Sequence, residues 1–177
     1  MANAASETLI SERFARWFSE TTGRPYTIQR GDDPPDFLME PGTWLELSDI
    51  FLTNEQAKFE YGRGGNRFKI GMCDPNDPPD PASSPDQLAL RLLSKLDEKL
   101  AKTSYRRIHE QRGQGILLLT CEDFFFDQVN LTRVEEALAC FNPTNDQGFF
   151  RLAYFEYCVP AAERVYRKVY PRGGAMP

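Results

Sequence analysis

Two carboxylates, Asp36 and Glu46, flank a strong turn signal at Pro41-Gly42. Both are equally distant from Pro41, so antiparallel strands joined at this turn would place them opposite each other with their side chains on one face. Carboxylates at that separation repel each other unless a positive charge lies between them. Hard oxygen ligands suit Mg²⁺ or Mn²⁺, and such a cation lowers the pKa of a bound water and stabilises charge on a transferring phosphoryl group.

A simpler interpretation of the same residues stays open. Asp36 follows two prolines and could serve only to cap the turn there. Glu46 could pair with a basic residue, for which Lys99 and Arg30 are the candidates.

Periodicity predicts the elements that would position this pair. Apolar residues recur at helical spacing from Ile10 to Phe18 and predict a helix over residues 6–20. Alternating residues and turn signals then predict three short strands, at residues 26–30, 36–40 and 43–51.

The second half of the chain begins with a Pro- and Asp-rich stretch at residues 74–85, which predicts a surface loop. Leucines at helical spacing predict one long helix over residues 85–108. A neighbouring stripe of that helix is basic and comprises Arg91, Lys95, Lys99, Lys102 and Arg106. Further elements are predicted as a buried strand at residues 116–120, a helix at 130–141, and strands at 149–159 and 164–170, followed by a disordered tail at 171–177.

These elements predict a single α/β domain over residues 1–177, with a mixed β-sheet flanked by helices. No apolar run approaches the roughly 18–20 residues that span a bilayer, and the N-terminus lacks the features of a secretory signal, so a cytoplasmic protein without a membrane partner is expected. The formal net charge of −5 gives no overall basic excess for nucleic acid, although basic residues can still cluster locally. The only histidine, His109, lies in a polar helix end and is not expected to be catalytic.

The order of elements, with Pro35-Asp36, Glu46-x-Ser48 and a following lysine-rich helix, resembles the PD-(D/E)XK nuclease-like superfamily over roughly residues 6–120. The resemblance implies a restriction-endonuclease-like core in the order αβββαβ, extended here by a C-terminal α-β-β unit. It also implies hydrolysis of phosphodiesters with Mg or Mn as the cofactor, on DNA or RNA.

Carried over residue by residue, the resemblance makes Asp36 and Glu46 the metal-ligating carboxylates and the backbone carbonyl of Leu47 a further ligand. Glu7 matches the acid that part of the superfamily carries on its first helix. Ser48 departs from the pattern, because the family has lysine there to orient the attacking water and stabilise the developing negative charge. A serine hydroxyl carries no charge and cannot supply that electrostatic contribution.

Two functions therefore remain open. In the first, Lys95 or Lys99 of the long helix replaces the missing strand lysine, and the chain is a metal-dependent nuclease. In the second, the fold is catalytically inactive and acts as a module that binds protein or nucleic acid. The sequence leaves the oligomeric state open, with a dimer among the options.

Overall fold

The computed structural model describes residues 4–50, 85–125, 128–158 and 164–171 of the chain. These residues form an α/β fold with one six-stranded mixed sheet and four α-helices, as the sequence predicts. In chain order the elements are α1 (Ala4–Thr22), β1 (Thr27–Arg30), β2 (Phe37–Glu40), β3 (Thr43–Asp49), α2 (Pro85–Ala101), a 3₁₀ turn (Thr103–Tyr105), α3 (Arg106–Arg112), β4 (Gly115–Phe125), α4 (Gln128–Cys140), β5 (Phe150–Cys158) and β6 (Arg164–Tyr170). The loop predicted at 74–85 lies outside the described residues except for Pro85, which begins α2, and the tail predicted at 171–177 lies outside them except for Pro171.

The strands lie in the sheet in chain order. β1, β2 and β3 are antiparallel neighbours, β4 is parallel to both β3 and β5, and β6 is antiparallel to β5. Helices cover both faces, so the apolar run of β4 is buried on both sides, as expected for a parallel strand. None of the described helices is both long and apolar enough to span a membrane.

Each face of the sheet carries its own hydrophobic core. On one face α1 packs against the sheet, and its cluster includes Ile10, Phe14, Phe18, Leu45 and Leu118. On the other face α2, α3 and α4 pack against the sheet, and their cluster includes Trp44, Leu92, Leu96, Tyr105 and Phe155. Because side chains alternate along a strand, successive residues of β3 enter opposite cores.

The hairpin of β2 and β3 has the predicted turn and register. Gly42 adopts a positive φ of 75°, which glycine tolerates without steric cost. Phe37 pairs with Leu45, and Met39 pairs with Thr43. Extended by one residue, this register places Asp36 opposite Glu46, although β2 itself begins only at Phe37.

The prediction of one long helix over residues 85–108 is wrong. α2 ends at Ala101, Lys102 is extended with ψ of 123°, and a 3₁₀ turn precedes α3. Thr103 and Ser104 follow the break, and residues of these types have a lower helix propensity than the leucines and lysines of α2. The break redirects Tyr105, which on a continuous helix would be rotated by about 240° from Lys99.

Gly115 permits the close approach of Trp44 to the start of β4. A Cβ atom at Gly115 would lie 2.4 Å from Cδ2 of the Trp44 ring. The indole Nε1 donates a hydrogen bond of 2.8 Å to the Gly113 carbonyl, and the ring stacks on Tyr105 with centroids 5.7 Å apart. The position of Trp44 therefore helps to fix Tyr105.

We expect Gly115→Ala to destabilise the fold by about 2–3 kcal/mol, because the added methyl overpacks the Trp44 ring. It should also change the aromatic circular dichroism. Gly148→Ala is the control: its φ is 70° and a Cβ there meets no atom within 4 Å. It should cost about 1 kcal/mol through φ alone and leave the aromatic signal unchanged. Urea unfolding measures the stability of both variants. Equal losses of stability in the two would contradict overpacking of the Trp44 ring as the cause.

Candidate metal and catalytic site

Glu46 is a buried carboxylate in the middle of β3. Only 3% of the residue is exposed, and it lies on the face of β3 that carries Trp44 and Ser48. That face packs against α2 and the 3₁₀ turn, so no bulk water solvates the charge. A carboxylate in such a place is tolerated only if other groups compensate it.

Lys99 and Tyr105 supply that compensation at one oxygen of Glu46. The Lys99 amine donates to Oε1 over 2.9 Å, and the Tyr105 hydroxyl donates to the same oxygen over 2.8 Å. Burial raises the pKa of Tyr105, so its hydroxyl stays a proton donor. The other oxygen, Oε2, is buried and has no hydrogen-bond partner in the part of the chain that the structure describes. Glu46 thus has one saturated oxygen and one with its lone pairs unused.

Asp36 lies at the edge of β3, where the ladder between β2 and β3 ends. Its Oδ2 accepts a hydrogen bond of 2.8 Å from the backbone N–H of Leu47. The carboxylate therefore takes the place that a backbone carbonyl of β2 would occupy if the ladder continued. In an extended strand the N–H and C=O of one residue point to the same side, so the Leu47 carbonyl lies along the edge that Asp36 occupies.

The electrostatic surroundings of Asp36 are acidic. Burial, and after it the charge of Glu46, raises the pKa of Asp36 to about 6. Glu7 contributes a smaller effect in the same direction. The Leu47 N–H and the Lys99 charge act in the opposite direction but do not cancel it. The site therefore carries more negative charge than its own residues neutralise, which favours a bound cation.

Glu7 lies near Asp36, but its carboxylate forms an ion pair with Arg30. Its Oε2 accepts from Nη1 of Arg30 over 2.7 Å, so Glu7 acts on Asp36 through its charge. The structure thus brings Glu7 into the neighbourhood of the predicted metal ligands, with its Oε2 engaged by Arg30. Arg30, one of the two basic residues considered for Glu46, pairs with Glu7 instead.

The two candidate lysines, Lys95 and Lys99, both lie on α2 but have different partners. Lys99 contacts Glu46, as the simpler interpretation of Glu46 also anticipated. Lys95 lies one turn earlier and pairs with Glu98 over 2.6 Å at a more exposed position. Ser48 is buried on the same face as Glu46, two residues further along β3. Lys99 therefore brings a positive charge to the carboxylate, and Lys95 does not.

The donor set fits a small hard cation. Within the described ranges, no three His, Cys, Asp or Glu side chains are grouped so that they could hold a metal. Mg²⁺ needs no such group, because it usually keeps several waters and takes one or two carboxylates together with substrate oxygens. Asp36 and Glu46 are two carboxylates of the kind that Mg²⁺ takes, and Oε2 of Glu46 is a buried oxygen without a described partner.

A second buried carboxylate, Glu156 on β5, was not anticipated from the sequence. Arg13 of α1 donates to its Oε1 over 2.7 Å, and the Tyr166 hydroxyl donates to the same oxygen over 2.9 Å. This arrangement repeats that of Glu46 on the opposite face of the sheet and ties α1 to β5 and β6. The only sequence signal for it is an acidic residue inside the otherwise apolar run of residues 152–158.

Comparison of the chain with protein-family models, with curated proteins and with solved structures finds no match. The geometry of Asp36, Glu46 and Lys99 is therefore the basis for assigning a function to the chain.

The raised pKa of Asp36 leads to a prediction about how stability depends on pH. Its pKa should be about 6 instead of the ordinary 3.8. Since the folded chain then binds this proton more tightly than the unfolded chain, the resulting stabilisation is complete below about pH 4 and is lost as the pH rises through about 6. Carboxyl ¹³C NMR measures the pKa, and Glu46→Gln should lower it by removing a neighbouring charge. A wild-type value near 4 would contradict this description of the site.

Loss of the Lys99 amine should be costly. Lys99→Met leaves a buried charge without its cation, and we expect a loss of about 3–5 kcal/mol in the free energy of unfolding. Adding Glu46→Gln should recover most of this loss, because no buried charge then remains. Lys95→Met is the matched control and should cost no more than about 0.5 kcal/mol, since its ion pair is exposed. If both lysine variants unfold at the same urea concentration, the pairing of Lys99 with Glu46 is not the stabilising interaction.

Proposed function

We propose that this protein is a metal-dependent phosphodiester hydrolase of the nuclease type, built on a restriction-endonuclease-like core. The observation that carries the proposal is the position of Lys99, whose amine lies 2.9 Å from Glu46 beside Asp36. A lysine charge is thus available next to the two carboxylates even though Ser48 replaces it on the strand. The coarser part of the resemblance, an α/β fold with a mixed sheet and helices packed on it, supports the proposal as well.

The residues of the site have distinct roles in this proposal. Asp36, Glu46 and the Leu47 carbonyl would hold Mg²⁺ or Mn²⁺. When bound, such a cation supplies an activated water and charge stabilisation for the phosphoryl group. Tyr105 keeps Oε1 of Glu46 occupied, so that Oε2 is the oxygen left for the cation.

Lys99 would act on the substrate directly. An ammonium group has three protons to donate, and the hydrogen bond to Glu46 uses one of them. The remaining two can be donated to the attacking water or to an oxygen of the transferring phosphoryl group. The lysine then stabilises the negative charge that develops in the transition state, which is the contribution that a serine at position 48 cannot make.

The second candidate is a catalytically inactive module of the same fold. It is favoured by the contact of Lys99 and Tyr105 with one Glu46 oxygen, which forms a compensated network without any metal. In that case Lys99 and Tyr105 would only stabilise the buried Glu46, and a protein or nucleic-acid partner would bind elsewhere.

Mn²⁺-dependent cleavage of DNA and RNA tests the first candidate. Asp36→Ala and Glu46→Ala should each abolish cleavage, and Lys99→Gln should reduce kcat by roughly 10²–10³-fold, as the loss of one charge-stabilising donor does in other hydrolytic sites. Lys95→Gln is the control and should change kcat by less than about threefold.

Calorimetry of Mn²⁺ binding separates the two candidates. The nuclease proposal requires a heat of binding that disappears in Asp36→Ala. Wild-type protein that neither binds Mn²⁺ nor cleaves any of the substrates would overturn it in favour of the inactive module.

A further inference from the structure

An exposed basic segment follows directly after α2. It consists of Lys102, Arg106 and Arg107, and all three side chains are exposed, as are the intervening hydroxyl residues Thr103 and Ser104. Residues 101–112 contain four Lys or Arg and one Glu, in a chain with a net charge of −5. The positive charge of this stretch therefore contrasts with the acidic balance of the whole protein.

The three cations of the basic segment form no ion pair with the residues that the structure describes. Most other cations in the described ranges form ion pairs, as Arg112 does with Glu40 over 2.5 Å. No ion pair joins Lys102, Arg106 or Arg107 to a described carboxylate. Glu110, which lies in the next turn of α3, forms no ion pair with them either. Three unpaired cations within six residues repel one another, so an anion that lies along them is stabilised.

The basic segment begins at the wall of the candidate site. Tyr105 lies between Lys102 and Arg106 in the chain, and its hydroxyl contacts Glu46. The Lys102 amine lies 5.3 Å from the centroid of the Tyr105 ring. After the break at Ala101, Tyr105 is buried against Glu46 while the neighbouring cations Lys102 and Arg106 are exposed.

We propose that the basic segment binds the phosphate backbone of a nucleic-acid strand and directs it to the Glu46 site. Lys and Arg side chains, aided by Ser and Thr hydroxyls, are the groups that contact phosphates without reading the bases. A polynucleotide is favoured over a small phosphodiester, because it presents several phosphates to a segment with several cations. Delivery of the strand to the Glu46 site rests on the proposed function. Binding of the phosphate backbone to the basic segment does not require hydrolysis.

The test measures binding in EDTA, so that cleavage does not contribute. Fluorescence anisotropy with labelled DNA and RNA oligonucleotides, single- and double-stranded, gives the affinity as a function of salt. Combining Lys102→Gln, Arg106→Gln and Arg107→Gln should lower the slope of log K against log salt by about 2–3, since each phosphate contact contributes roughly 0.7–0.9. We expect the affinity near physiological salt to fall by about tenfold or more.

A second triple variant provides the control with the same loss of charge. Arg16, Arg24 and Arg151 are also exposed, and they lie in other parts of the fold. Changing all three to Gln should leave the slope within about 0.5 of the wild-type value. The proposal is overturned if the wild type binds none of the four oligonucleotides, or if the control variant lowers the slope as much. Binding that survives in Asp36→Ala, with no cleavage by the wild type, would refute hydrolysis but not the binding surface.

Discussion

The contact of Glu46 with Lys99 and Tyr105 is the constraint on which the described site depends. A carboxylate that is only 3% exposed must be compensated, and both compensating groups come from the segment that crosses the sheet after β3. The helix has to end at Ala101 for Tyr105 to reach the carboxylate that Lys99 already contacts. The packing of Trp44 between Tyr105 and Gly115 then holds this arrangement in place.

Asp36 adds a second carboxylate by a different route. It accepts from the Leu47 N–H where the β2 ladder ends, and so it lies beside the stretch of β3 that β2 no longer pairs with. Its pKa is raised first by burial and then by the neighbouring negative charge of Glu46. The site holds two carboxylates, Asp36 and Glu46, and one lysine amine, Lys99. A bound cation would balance the remaining negative charge. The same site without a cation is a stable ion-pair network, which is why metal binding decides between the two candidate functions.

Local patterns in the sequence predicted the elements better than the contacts between them. The alternation of β3 and the Pro41-Gly42 turn were sufficient to place Asp36 opposite Glu46, because hairpin register follows from the turn. The break after Ala101 was missed, because the leucine spacing of α2 outweighed the weak signal of Thr103. The contact of Arg13 with Glu156 joins residues 143 positions apart, and no local periodicity encodes a pairing across that separation.

Anomalous diffraction from crystals soaked in Mn²⁺ tests the central claim most directly. The proposal predicts a single strong peak bounded by Asp36, Oε2 of Glu46 and the Leu47 carbonyl, with metal–oxygen distances of about 2.0–2.5 Å. Lys99 should remain within hydrogen-bond distance of Oε1. The absence of a peak at this position in saturating Mn²⁺, with Glu46 still held only by Lys99 and Tyr105, would contradict it.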